Sequence, residues 1–177
     1  MKLIKNKIQG FTLVELLITL SLAGIILTLV FSFFINNLKN FNRAEHEVDL
    51  QYNGQFAKEY ITKIVTQSKG ISFVESIDGV DKTSTSDRVN VKQITFIVEN
   101  ADESTSDISF SIDEVSKELY SSDIMSSIAQ YVEKLVIEPV PSNENYSNAR
   151  GIALIINLSK GDVNKRIESQ IKFRNYE

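Results

Sequence analysis

Gly10-Phe11-Thr12-Leu13-Val14-Glu15-Leu16-Leu17 decides how this chain is read. Three lysines, Lys2, Lys5 and Lys7, precede it, and an apolar run follows as far as Ile35. Leu16 to Ile35 gives 20 residues without a charge, enough to cross a hydrocarbon core as one helix. Glu15 sits almost at the head of that segment. An isolated ionised residue in hydrocarbon costs several kcal/mol, so this carboxylate marks a functional position whose partner has to be identified.

Working outward, Met1 to Gly10 is short, basic and polar. A secretory signal peptide has a shorter apolar region with its cleavage site after it. Here the candidate processing residue, Gly10, lies before the run, so the apolar segment is expected to stay with the protein. Lysines on the short N-terminal side predict that end cytoplasmic and the bulk of the chain outside, a bias that Lys39 and Arg43 weaken slightly.

The 177 residues leave room for an anchor and one modest domain. Hydrophobic content of 42% and charged content of 24% suit a globular fold. Nineteen basic against 23 acidic residues give a net charge of -4. Without the three leader lysines the balance is 16 against 23, which argues against nucleic acid as the primary partner. The absence of cysteine excludes disulfides, thiolate metal sites and cysteine nucleophiles. A single histidine, His46, excludes a multi-histidine metal site.

At Gly10, Phe11 and Glu15 the chain resembles the type IV prepilin family of pilins, minor pilins and pseudopilins. Its members carry a basic leader ending in glycine, a hydrophobic first mature residue, and a glutamate five residues past the glycine. Gly24 also falls in the apolar helix where relatives often have glycine. The resemblance implies cleavage after Gly10 by a membrane prepilin peptidase, N-methylation of Phe11, and a leader held at the inner surface by Lys2, Lys5 and Lys7. It also implies that Glu15 of one subunit pairs with the Phe11 amine of a neighbour, since removing one member leaves a buried unpaired charge. The alternative is a plain signal anchor with Glu15 at the membrane interface. Many major pilins have a proline midway along this helix; this run has none, Ser32 standing near its place, which points to a minor component.

Beyond the membrane run, Phe41, Ala44, Val48, Tyr52, Phe56, Tyr60 and Ile64 recur at three or four residues, flanked by Ala57, Ile61 and Val65. This spacing predicts an amphipathic stripe covering a sheet, with Gly70 as the stop. No proline interrupts residues 11 to 69, so one helix of about 59 residues, roughly 88 Å long, is expected. Gly54 reads as a weak point and His46 as a solvated or salt-bridged surface residue.

From Ile71 the period changes to two. Ile71–Phe73, Ile94–Val98, Ile108–Ile112 and a segment around Lys117 to Tyr120 read as strands. Asp123 to Lys134 has helical spacing, and Leu135-Val136-Ile137 reads as a strand stopped by Pro139 and Pro141. Ile152 to Leu158, apolar on both faces, reads as a central strand. Lys160-Gly161-Asp162 reads as a turn before a last strand through Ile167, Ile171 and Phe173. The expected fold is α+β: a long N-terminal helix, half membrane and half amphipathic, packed on an antiparallel sheet. The expected division is leader 1–10, transmembrane and assembly helix 11–35, amphipathic continuation 36–70 and sheet domain 71–177. In outline the order resembles the J-type minor pseudopilins and the minor pilins called PilW. Glu15 argues against the pseudopilin that caps the tip, since that type typically lacks the glutamate.

No catalytic set is legible. His46 has no nucleophile motif nearby, and no glycine-rich phosphate loop or HExxH occurs. Asp78 with Asp81, and Asp102-Glu103 with Asp107, read as solvated turn carboxylates rather than calcium ligands. Lys160, Lys165, Arg166, Lys172 and Arg174 gather near the C-terminus, diluted by acids, as a solvated face.

The resemblance therefore implies a structural subunit, not an enzyme, with no cofactor. It would be a minor pilin or pseudopilin of a type IV pilus, type II secretion or competence filament, placed in the initiating or tip-proximal complex. Its implied partners are prepilin peptidase, other pilins and minor pilins, the assembly platform protein with its cytoplasmic ATPase, and the membrane. The competing reading is a signal-anchored extracellular binding or sensor domain that does not polymerise.

Overall fold

The structure, a computed structural model, describes residues 11–100, 102 and 104–174. The chain divides into two units, Met1–Asn42 and Arg43–Glu177. In the first, the described residues belong almost wholly to helix α1, Leu13–Thr66, whose later turns enter the second. Within the apolar run Thr19, Ser21 and Thr28 return their hydroxyl donors to their own helix. Thr19 Oγ1 donates to Glu15 O at 3.0 Å, Ser21 Oγ to Leu17 O at 2.8 Å and Thr28 Oγ1 to Gly24 O at 2.8 Å. A helix that satisfies its hydroxyls internally presents an apolar surface throughout, as a hydrocarbon environment requires.

The second unit holds the end of α1 and eight strands: β1 Ser68–Ser76, β2 Val89–Glu99, β3 Thr105–Asp113, β4 Glu118–Ser121, β5 Ser126–Ala129, β6 Val132–Pro139, β7 Gly151–Lys160 and β8 Val163–Lys172. All pairings are antiparallel, in the order β5-β4-β3-β2-β6-β7-β8, with β1 also on β2. Strand β2 is where the sheet divides. It pairs with β3 from Gln93 to Glu99 and with β6 only at Val89 and Asn90. The expected α+β architecture is what the molecule has, but β7 is the penultimate strand, not a central one; it is paired on both sides, with Ile152, Leu154 and Ile156 buried on one face and Ile155 on the other.

The helix does not stop at Gly70. It ends at Thr66, where Gln67 N closes a tighter turn onto Ile64 O at 3.1 Å and Ser68 Oγ donates to the same carbonyl at 2.8 Å. Ser68 pairs with Val98 and Gly70 with Ile97, so the glycine lies inside β1. Ladder pairing claims these residues for the sheet before the glycine is reached.

The buried face of α1 also differs from the expected stripe. Leu50, Gly54, Ala57, Ile61, Ile64 and Val65 face the sheet, while Phe41, Val48, Tyr52 and Phe56 are exposed, Tyr52 by 70%. A strict spacing of four drifts by about 40° per step around a helix of 3.6 residues per turn. Tyr52 and Phe56 therefore stack outside, with centroids 6.4 Å apart, and the row reaches the core only at Tyr60, edge-on to Phe110. Gly54 is no weak point. A Cβ there would lie 2.2 Å from Ile167 Cδ1 and 3.0 Å from Leu158 Cδ1, so the missing side chain lets α1 settle onto β7 and β8.

Asp123 to Lys134 is not helical. It forms the β4–β5 turn, β5 and the start of β6, with Met125 and Tyr131 at positive φ (48° and 64°) making the two reversals. The aromatic centre of the core is Phe96, edge-on to both Phe110 and Phe173 at 6.0 and 6.3 Å. Tyr146, in the 3-10 turn Tyr146–Asn148, is wholly buried, its hydroxyl 2.9 Å from the carbonyl oxygens of Asp87 and Ile137. Burying each large apolar side chain contributes roughly 1.5–3 kcal/mol, so this cysteine-free core is held by packing.

Candidate assembly segment

Lys2, Lys5, Lys7 and Gly10 lie outside the described residues. Phe11 and Glu15 lie within them, and the sequence around Glu15 builds its surroundings directly. Thr12-Leu13-Val14-Glu15 places a hydroxyl and a carboxylate three residues apart at a helix start, the spacing of a reciprocal capping box. Glu15 N donates to Thr12 Oγ1 at 3.2 Å, and Thr12 N donates to Glu15 Oε2 at 3.0 Å. The Thr12 hydroxyl also donates to Glu15 Oε2 at 2.9 Å. Two backbone donors that a helix N-terminus leaves without partners are thereby satisfied. Reading Glu15 only as a charge in search of a distant partner overlooks this; the T-x-x-E spacing was the available signal.

Around the box the surface is apolar and open. Phe11 is 77% exposed, and Leu13, Leu16, Leu17, Ile18 and Leu20 are exposed likewise. The exposed large hydrophobics continue without interruption of type through Ile25, Leu29, Phe33 and Phe34. Such a helix is stable in water only when lipid or other helices cover it.

Other candidate positions resolve into structural roles. His46 is half-buried, not solvated: the Gly161 turn packs on its ring, and its Nδ1 is shielded without a hydrogen-bond partner. One helical turn on, Asp49 Oδ2 accepts from Lys160 Nζ at 2.5 Å, and that ammonium lies 4.7 Å from the centroid of Tyr131. The Asp49 hydrogen bond raises the Lys160 pKa. Asn53 Oδ1 accepts from Gln130 N at 2.8 Å, so His46, Asp49 and Asn53, on successive helical turns, meet the end of β5 and the β7–β8 turn. Asp81 accepts from Thr83 N and Oγ1, and Asp102 from Ser104 N and Oγ, which occupies both as turn caps and lowers both pKa values. Tyr60 Oη donates to Asp123 Oδ2 at 2.5 Å; burial and this bond push the phenol up to about 12. Burial alone would raise the Asp123 carboxyl, but hydrogen bonds from Ser121 and Tyr60 bring it below its ordinary value.

Residues 5–31 match a family model described as the prokaryotic N-terminal methylation motif. The motif, which runs into the long helix packed on the sheet, supports a type IV prepilin-like protein. The motif and one helix long and apolar enough to cross a membrane fit a single-pass, membrane-anchored protein processed by prepilin peptidase and assembled with other pilins. Comparison with curated proteins and with solved structures returns no match.

Proposed function

We propose that this chain is a minor structural subunit, a minor pilin or pseudopilin, of a type IV pilus, type II secretion or competence filament. The observation that carries the reading is the methylation motif at residues 5–31, lying on a helix whose large apolar side chains are exposed as far as Ile35. A leader of residues 1–10, held at the inner surface by Lys2, Lys5 and Lys7, is removed after Gly10, and Phe11 is N-methylated. The exposed helix waits in the cytoplasmic membrane, N-terminus inward, until it joins other pilins. There Glu15 leaves Thr12 and pairs with the Phe11 amine of a neighbouring subunit, which sets the axial register. The absence of proline from the run favours a minor component, and the retained Glu15 argues against the subunit that caps the tip, which leaves a place in the initiating or tip-proximal complex. The platform protein and its ATPase drive assembly, and the sheet domain supplies docking surfaces, not catalysis.

Incorporation of Glu15→Ala into filaments tests the assignment. The account expects normal membrane insertion and leader removal but loss of the subunit from sheared filaments. Normal incorporation would remove the role given to Glu15.

A further inference from the structure

Strand β8 ends the sheet, and among the described residues no strand pairs with its outer edge. The ladder to β7 fixes the phase of its backbone. Phe173 N donates to Arg150 O at 2.9 Å, and antiparallel pairing alternates from there, so Ile171, Ser169, Ile167, Lys165 and Val163 turn their peptide groups toward β7. Asn164, Arg166, Glu168 and Gln170 therefore present theirs to the open side, with side chains exposed. Arg174 N donates to Thr66 O at 3.0 Å, so the open stretch ends at Lys172.

A long free edge is a template for another strand, and charged side chains usually guard against it. Here the charges are arranged so that the strand complements itself. We propose that β8 pairs antiparallel with β8 of a second copy, about a dyad at Ile167. On the outer face this sets Arg166 opposite Glu168, Asn164 opposite Gln170 and Asp162 opposite Lys172. On the face toward α1, Ile167 meets itself and Val163 meets Ile171. The backbone phase agrees: Arg166 and Glu168, with outward peptide groups, form the hydrogen-bonded pairs, and Ile167 falls at a non-hydrogen-bonded position. Centring on Lys165 sets that lysine against itself and Asp162 against Glu168. Centring on Ser169 sets Arg166 against Lys172. Of the registers centred from Lys165 to Ser169, the one on Ile167 alone avoids like charges, and like charges directly opposite destabilise a pair. Arg166 and Glu168 form an ion pair within their own strand, so the second copy lets each exchange its partner across the dyad.

The dyad reverses every element lying along the sheet, α1 included. The sheets of the two copies thus run in opposite directions. This contact goes beyond the helix-mediated assembly proposed above and uses a separate surface.

Sedimentation of the full-length protein in detergent tests it. The expected result is a reversible dimer weakened roughly tenfold by Arg166→Glu or by Glu168→Arg, and restored to within about threefold when both are combined. Because the chain has no cysteine, an equal mixture of Asn164→Cys and Gln170→Cys proteins should cross-link on oxidation, and neither alone should. A protein that stays monomeric overturns the proposal. So does a dimer indifferent to both reversals, as helix-driven association would give, or cross-linking of either cysteine variant by itself.

Discussion

Thr12 and Glu15 close a reciprocal pair at the head of α1, each backbone N–H bonded to the other's side chain at 3.0 and 3.2 Å. Under the function proposed above Glu15 has two tasks that use different properties of one side chain: capping needs an acceptor, and pairing with an amine needs a negative charge. Glu15→Gln separates them, because glutamine preserves a capping box and carries no charge. We expect Glu15→Gln to fail in filament incorporation as completely as Glu15→Ala, measured by immunoblot of sheared filaments. Incorporation rescued by glutamine would mean that the cap, and not the charge, is what assembly requires.

The approach of α1 to the sheet at Gly54 gives a second test. Gly54→Ala gains about 1 kcal/mol of helix propensity but forces a contact with Ile167 Cδ1 whose overpacking costs about 1–3 kcal/mol. Net destabilisation is expected in urea unfolding of the detergent-solubilised protein. Ile167→Val deletes the clashing methyl, so the double variant should be more stable than the two single effects summed. Strict additivity would contradict the contact.

Gly151→Ala should be worse than Gly54→Ala. Its Cβ would fall 2.2 Å from the Ile171 carbonyl oxygen and 2.9 Å from Lys172 Cα, both backbone atoms that cannot swing aside. The expected readout is a lower unfolding midpoint for Gly151→Ala than for Gly54→Ala in the same assay; the reverse order would mean that β7 and β8 are less tightly spaced at that end.

The helix, the alternating strands and the two apolar faces of β7 were legible because burial imposes periods of 3.6 and 2 on the sequence; its place next to the sheet edge was not. The inward face of α1 was legible in part: Ala57, Ile61, Ile64 and Val65 belong to it as expected. Tyr52 and Phe56 look like core by composition, yet four-residue spacing carries them outside, and Leu50 and Gly54 complete the buried face instead. The turns at Met125 and Tyr131 were equally hidden, since neither residue advertises a positive φ. In the candidate assembly segment Gly10, Phe11 and Glu15 stood out through the resemblance to the prepilin family, whereas the part played by Thr12 became visible only through its bonds.

Alkaline pH should weaken the sheet domain. Tyr60 is pushed up to about 12, Tyr146 is raised chiefly by burial, and Lys160 is raised by its bond to Asp49. Each binds its proton more tightly folded than unfolded, so its contribution is complete below about pH 10 and declines as pH rises through the folded values. Unfolding followed by circular dichroism should show stability falling from about pH 10 upward, and Tyr60→Phe should flatten that fall. An unchanged slope in Tyr60→Phe would contradict the Tyr60–Asp123 assignment.

Mass spectrometry of the mature chain from a host with prepilin peptidase tests the central claim most directly. The account predicts a polypeptide beginning at Phe11 with one methyl group on its α-amine. A chain still beginning at Met1 in that host would contradict it.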